Sequence, residues 1–317
     1  MKRPLVQLTE AKQIKAKLLE FKHPITPQQL ALLTQEHYQK NSLLAFSKDW
    51  NIFTEFCQRK SVNPLPASVT AVRLFLESEA KVRKFSTIRR YSVTIGMIHY
   101  LLNQKDPTLN VQVRQLLQRL RAEKYGDEKQ AECFTRQHLA SLYQLMAESN
   151  ESLAIRDLAI YHVMFECAMK RGELKKLSFK DIAEDHSQLS IGNEIYQLSP
   201  SAQQILARWT ALISQQDGAV FRSIDRHGNI NNQPLDDSSI YRILRRAGDL
   251  LALPHLKFSG QSTRIGAVKE LAEQGYHTKD IQSFGRWLSP AMPNQYLGKL
   301  HTAEVTKIKF TRIKPWT

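Results

Sequence analysis

Three segments of the sequence place polar or aromatic side chains in otherwise apolar helical surroundings. "CAMKRGELKKL" gathers Lys170, Arg171 and Glu173, "SGQSTRIGAVKELAEQG" holds Gln261 and Arg264, and "GRWLSPAMPNQYLG" holds Trp287 and Tyr296. In the second segment Ile265, Val268, Leu271 and Ala272 recur at helical spacing up to Gly275. Arg264 thus stands at the polar mouth of an amphipathic helix, with Gln261 about one turn before it. There is no Gly-rich phosphate loop, no paired zinc-ligand spacing and no nucleophile elbow. Each residue also has a plain structural explanation. Trp287 and Tyr296 fit core aromatics, Arg264 fits a helix-end anchor, and Lys170 fits a solvent-facing helix residue.

The elements that would carry these residues are mostly helices. "TPQQLALLTQEHYQKNSLLAFSKDWNIFTEFCQRKS" has apolar residues at three-to-four spacing, with Leu44, Trp50, Phe53 and Phe56 facing a core, and "NPLPAS" breaks it. Further helices are expected from Ser68 as a cap, over "KFSTIRRYSVTIGMIHYLLNQK" with Ser86 or Thr87 near its start, and over "NVQVRQLLQRLRAEKYG". The polar stretch 122–132 reads as a linker between a helical domain over 1–125 and a second domain over 133–317. The second domain opens with two helical segments. "SQLSIGNEIYQLSP" then reads as a β-hairpin turning at Gly192-Asn193, and more helices follow. From Val305 to Ile313 the tail alternates as an extended segment does.

Charge points to the partner. With 45 Lys and Arg against 30 Asp and Glu the chain carries +15, and its pI is near 9.7. A surplus of that size favours a polyanion through counterion release, and nucleic acid suits it better than lipid because no basic amphipathic helix with a bulky apolar face dominates the chain. Within 81–124, ten Lys and Arg stand against Asp106 and Glu123, which marks a phosphate-contacting face. Ser86 and Thr87, at a helix entrance beside Arg89 and Arg90, can offer hydroxyl and backbone N–H groups. Cys57, Cys133 and Cys167 match no metal or disulfide spacing, so buried thiols in a reducing compartment are expected, with no metal and no cofactor. The N-terminus lacks a leader-like apolar core and no stretch is long enough to span a bilayer, which points to the cytoplasm.

The order of these motifs resembles the tyrosine recombinases of the phage integrase family, in layout the Cre-like ones. The resemblance runs from about Gln39 to Lys299, on "DWNIFTEFCQRKSVNPLPASV", "STIRRYS", "IRDLAIYHVMFECAMKRGELKKLSFKDI", "FSGQSTRIGAVKELAEQG" and "GRWLSPAMPNQYLG". It implies a mainly α protein: an N-terminal helical core-binding (SAM-like) domain, then a mainly helical catalytic-type domain with a small β-hairpin or sheet. It also implies a tyrosine that attacks a DNA phosphodiester and holds the 3′ phosphate covalently. Two arginines and a His or Trp donor stabilise the developing charge, while a hairpin lysine and a histidine assist proton transfers.

Carried over by position, the resemblance places the nucleophile at Tyr296, the late donor at Trp287, the second arginine at Arg264 and the acid that orients the first arginine at Glu173. Three positions depart from the pattern. The first arginine falls on Lys170, since Arg171 is turned about 100° away on a helix. The histidine falls on Gln261. The hairpin lysine has no counterpart, because 181–205 contains neither Lys nor Arg. DNA contacts are expected from Lys84, Ser86, Thr87, Arg89, Arg90, Arg121 and Lys124 in the first domain, and from Arg171, Arg242 and Lys257 in the second.

The expected function is that of a two-domain clamp on double-stranded DNA in a bacterial cytoplasm or nucleoid, with strand exchange weak or lost and a regulatory or accessory role. Self-association as dimer or tetramer on DNA, and partnership with an active recombinase, go with it. The alternative is an active site-specific recombinase working through a 3′-phosphotyrosine at Tyr296, with Lys170 or Arg171 as first cation and Lys257 or a partner protomer supplying the missing base.

Overall fold

The computed structural model describes residues 5–127, 130–214 and 216–311. The chain forms two compact units that divide in sequence between residues 129 and 130. Among the described residues of the first, six α-helices follow one another: α1 (Ala11–Glu20), α2 (Pro27–Leu33), α3 (Lys40–Arg59), α4 (Val69–Ala80), α5 (Phe85–Leu101) and α6 (Val111–Glu123). Trp50, Phe53, Phe56, Phe75 and Tyr91 fill its core, with the Phe53 and Phe75 rings edge to face at 5.1 Å. Buried His99 is a structural histidine. Its Nε2 accepts from the Ala67 backbone N–H at 2.9 Å and its Nδ1 faces the Ile95 carbonyl at 2.8 Å, which fixes the tautomer with the proton on Nδ1.

Ser68 caps α4 as expected, accepting from the Ala71 N–H at 3.1 Å. The long helical pattern of 26–61 is instead two helices. Gln35 and Glu36 take φ of 49° and 56° between α2 and α3, and Leu44 is 46 % exposed rather than in the core. The inward stripe of α3 carries Leu43, Ser47, Trp50, Phe53, Thr54 and Cys57, and Leu44 lies off it.

The second unit comprises α7 (Arg136–Met146), α8 (Ser152–Glu166), α9 (Arg171–Leu174), β1 (Gln188–Ile191), β2 (Glu194–Gln197), α10 (Pro200–Ala211), β3 (Arg222–Ile224), β4 (Ile230–Pro234), α11 (Asp237–Leu250), α12 (Gly260–Glu273), α13 (Thr278–Phe284), α14 (Ala291–Tyr296) and α15 (Leu300–Thr311). Helix α8 is buried on every face from Ile155 to Phe165 and packs against α7, α10 and α12, so it is the axis of this unit. The hairpin β1–β2 turns at Gly192-Asn193 as the sequence indicates, with Gly192 at φ 66°.

A second hairpin, β3–β4, was not anticipated. Its strands are short, and their register shifts between Arg222 and Ile224, which hides the period-two pattern. The tail is also corrected. Through Thr311 it is the helix α15, packed on α14 with Ala303 buried, and the alternation seen from Val305 falls in a helix already begun at Leu300. The rest of that alternating stretch, 312–313, lies outside the described residues. Among the described residues no helix is long and apolar enough to cross a membrane, and no His, Cys, Asp and Glu group could hold a metal ion.

Candidate active site

The candidate residues meet where four turns of the second unit converge. The first is the end of α8. Ala168 takes φ 43°, the Met169 N–H reaches back to the Met164 carbonyl at 3.0 Å, and the chain enters α9 with Lys170 as its cap. The second is the start of α12, where the Ser259 hydroxyl accepts from Gln261 N–H at 3.3 Å and Ser262 Oγ accepts from Ser259 N–H at 2.9 Å. The third is the α13–α14 connection, where Arg286 stands at φ 55° just before Trp287. The fourth is the last turn of α14, which ends on Tyr296.

The capped start of α12 sets Gln261 and Arg264 one turn apart. Arg264 is 6 % exposed; it donates from Nη1 to the Ala168 carbonyl and from Nη2 to the Gly285 carbonyl at 2.8 Å. Its guanidinium lies 4.1 Å from the centre of the Trp287 ring. Burial pulls it down to about 10, and the nearby Tyr296 and Glu173 act in the opposite direction; it stays charged at neutral pH. Gly266, two residues on, allows α12 to approach the segment before α7, since a Cβ there would lie 1.6 Å from the Phe134 carbonyl oxygen.

Tyr296 is 5 % exposed and packs with Ile265, Val268 and Ile281. Its ring meets Trp287 edge to face at 5.9 Å, and its hydroxyl accepts from Gln261 Nε2 at 3.3 Å. Burial raises the Tyr296 phenol above its ordinary value, and the Gln261 hydrogen bond and the Arg264 charge only partly offset that.

Glu173 is the hub of the cationic side. Its Oε1 accepts from Lys170 Nζ at 3.0 Å and from Arg286 Nε at 3.1 Å; its Oε2 accepts from Lys170 N–H at 2.8 Å and Arg286 Nη2 at 2.7 Å. Burial would raise this carboxyl, but the Arg286 hydrogen bonds and the two Lys170 donors overcome it and hold the group at about 2. Lys170 Nζ also reaches the Arg286 carbonyl at 3.4 Å. Arg171 does not share Glu173: its stem crosses the first residue of α12, where a Cβ on Gly260 would come 2.7 Å from Arg171 Cγ.

Arg286 is the residue that sequence reasoning missed. It spreads over Glu173 in a two-pronged pair and also donates to the carbonyls of Cys167, Ala168 and Phe284 and to the Tyr196 hydroxyl on β2. A left-handed backbone at a bulky residue costs about 1–2 kcal/mol, and this network over-determines it. The signal in the sequence was an arginine directly before Trp287, in a turn where glycine is the residue of least strain.

The basic face of the first unit is less bare than a count over 81–124 suggests, because its acids come from other segments. Arg90 donates to buried Asp49 through Nε and Nη2 at 2.7 and 2.8 Å, Arg83 pairs with Glu79 at 3.4 Å, and Arg119 lies 3.5 Å from Glu77. Lys84 caps α5, placing Ser86 and Thr87 in its first turn, and Arg89 follows on the exposed side; Arg121 and Lys124 lie at the end of α6. In the second unit Arg242 is exposed on α11 with Nη2 at 3.1 Å from Ser239 Oγ, and Lys257 is exposed just before α12.

Residues 133–302, which contain every member of the Lys170–Tyr296 constellation, match the sequence profile of the phage integrase family. The chain belongs to the phage integrase family. It is 26% identical over 277 residues to an integrase/recombinase XerD homolog of Selenomonas ruminantium, covering 81% of each chain. To the recombinase Cre of Escherichia phage P1 it is 22% identical over 293 residues, 84% of each. Its fold is also that of the XerH site-specific recombinase bound to its difH substrate in a pre-cleavage complex, with a TM-score of 0.63 at 13% identity over 93% of this chain and 95% of that one. The mainly helical, two-hairpin architecture is therefore the tyrosine recombinase fold of this family.

Proposed function

We propose that this phage integrase family member binds a specific double-stranded DNA site, with contacts from both units, and that its strand-exchange activity is weak or lost. The observation that carries this reading is the pairing of the Tyr296 hydroxyl with the Gln261 amide. A carboxamide donates a hydrogen bond but does not take up a proton from an attacking phenol, and burial has made that phenol harder to ionise.

Two further features act in the same direction. Lys170 offers a point charge where a guanidinium would grip two phosphate oxygens at once. The hairpin turn Ile191-Gly192-Asn193-Glu194 carries no cation to protonate the leaving 5′ oxygen. Loss of one preorganised oxyanion donor slows a reaction by about 10²–10³-fold, and loss of a general acid or base by about 10²–10⁴-fold. These losses do not simply multiply, because the residues act as one unit. On this reading the chain serves as an accessory or regulatory DNA-binding factor, acting as a dimer or tetramer on DNA or beside an active recombinase.

A second reading is favoured by a specific observation: Tyr296, Arg264, Trp287, Gln261 and Lys170 are assembled around one corner rather than scattered. On that reading the Tyr296 oxygen bonds to phosphorus as its proton passes to water, the 5′ oxygen leaves and takes a proton from water or from a group such as Lys257 or a partner protomer, and a 3′-phosphotyrosine forms. The deciding experiment uses a duplex recovered by in vitro selection on the full chain, nicked near its centre to trap the adduct. Tight binding without a covalent adduct supports the first reading. An adduct that Tyr296→Phe abolishes overturns it in favour of the second.

A further inference from the structure

Lys170 and Arg286 compete for one carboxylate, and they are not equivalent competitors. The Arg286 side chain is 13 % exposed and grips both oxygens of Glu173, whereas that of Lys170 is 46 % exposed and touches Oε1 alone with its ammonium. The four donors on Glu173 use the acceptor capacity of a carboxylate. Arg286 cannot itself turn to an outside anion, because its donors are directed to Glu173, to the carbonyls of Cys167, Ala168 and Phe284, and to Tyr196.

We propose that Arg286 is a positioning residue that neutralises Glu173 and so frees the Lys170 ammonium to meet a DNA phosphate. The inference rests on the reading of this corner as a phosphate site. Lys170, Arg264 and Arg286 against Glu173 leave two positive charges in excess. With a neutral residue at 286, Glu173 would hold Lys170 as its sole ionic partner, and the excess would fall to one charge, on Arg264. The device compensates for lysine at the first cationic position. A guanidinium could keep one edge on Glu173 and offer the other to phosphate, whereas an ammonium must leave the one to reach the other. Arg286 makes that departure cheaper, and its own carbonyl, 3.4 Å from Lys170 Nζ, gives the ammonium a neutral resting partner.

The test compares the full chain with Arg286→Met, Glu173→Gln and the double variant. The first readout is the rate of Lys170 acetylation by a neutral reagent without DNA, followed by peptide mass spectrometry. Arg286→Met is expected to slow it several-fold, and adding Glu173→Gln to restore it, a rescue that a purely structural role for Arg286 would not produce. The second readout is the salt dependence of binding to the selected duplex. Its slope should fall by about one phosphate contact in Arg286→Met and recover in the double variant. Where Arg286→Met does not fold, Arg286→Gln removes the charge but keeps an amide donor for the same carbonyls. Unchanged acetylation in a folded Arg286 variant overturns the proposal, as does slowing that Glu173→Gln fails to reverse. Absence of DNA binding by every form, wild type included, overturns the DNA reading instead, and acetylation still decides between Arg286 and Lys170.

Discussion

The amide of Gln261 donates to the hydroxyl of Tyr296 across 3.3 Å, from one turn before Arg264 on the same helix. A side chain at that position is therefore within reach of the phenol proton, and the Gln261 amide differs from a histidine there in basicity rather than in proximity. Gln261→His should increase adduct formation on the nicked duplex, by up to about 10²–10⁴-fold if proton transfer limits the reaction, and Lys170→Arg should add to it. DNA affinity should change little. An adduct rate unmoved by either change would show that neither proton transfer at 261 nor the first cation limits the reaction.

Glu173 links the site to acid stability. Its folded value of about 2 lies below the ordinary 4.5, so its partners stabilise the fold fully above pH 4.5, and that contribution is lost as pH falls towards 2. Glu173→Gln should be less stable than wild type at neutral pH, with the difference shrinking through this acid window. Denaturant titrations at a series of pH values measure it, and a difference that stays constant down to pH 2 would contradict the assignment.

Arg90 is a poor probe of DNA binding because it holds Asp49, whose side chain is 1 % exposed and also accepts from Thr94 at 3.3 Å. Arg90→Glu should destabilise the first unit by about 1–3 kcal/mol through a stranded buried carboxylate. Lys84→Glu should leave stability within about 0.5 kcal/mol. On DNA, Lys84→Glu is expected to lower the salt slope by about 1. Thermal melts alongside salt titrations separate the two effects, and an unchanged slope would remove Lys84 from the DNA face.

Gly266 fixes the depth of α12. Gly266→Ala would place a methyl 1.6 Å from the Phe134 carbonyl oxygen and 2.9 Å from Phe165 Cε2, neither of which can swing away. The expected cost is about 3 kcal/mol or more, with displacement of Arg264 and Gln261. Wild-type stability in that variant would show that the helix stands further out.

Much of the candidate site was legible in the sequence because its parts lie at fixed offsets on short, strongly patterned elements. Gln261 and Arg264 share one helix, Lys170 and Glu173 one helical turn, and Trp287 and Tyr296 lie just before and at the end of α14. Arg286 could not be read that way: its partners are Glu173, Cys167, Ala168 and Tyr196, all distant in sequence, and its aim depends on a left-handed backbone angle. The same limit applies to Arg90 and Arg119, whose acidic partners lie outside the basic stretch. Leu44 and the tail show the converse, where a local pattern yields to a turn or to a neighbouring helix.

The Tyr196 hydroxyl joins the hairpin β1–β2 to Arg286 and to the Phe284 carbonyl. These two hydrogen bonds fasten the middle of β2 to the turn that precedes α14. The amides of β2 should therefore exchange with solvent as slowly as those of the surrounding core, and a basic residue introduced in this hairpin would act from a strand held in place.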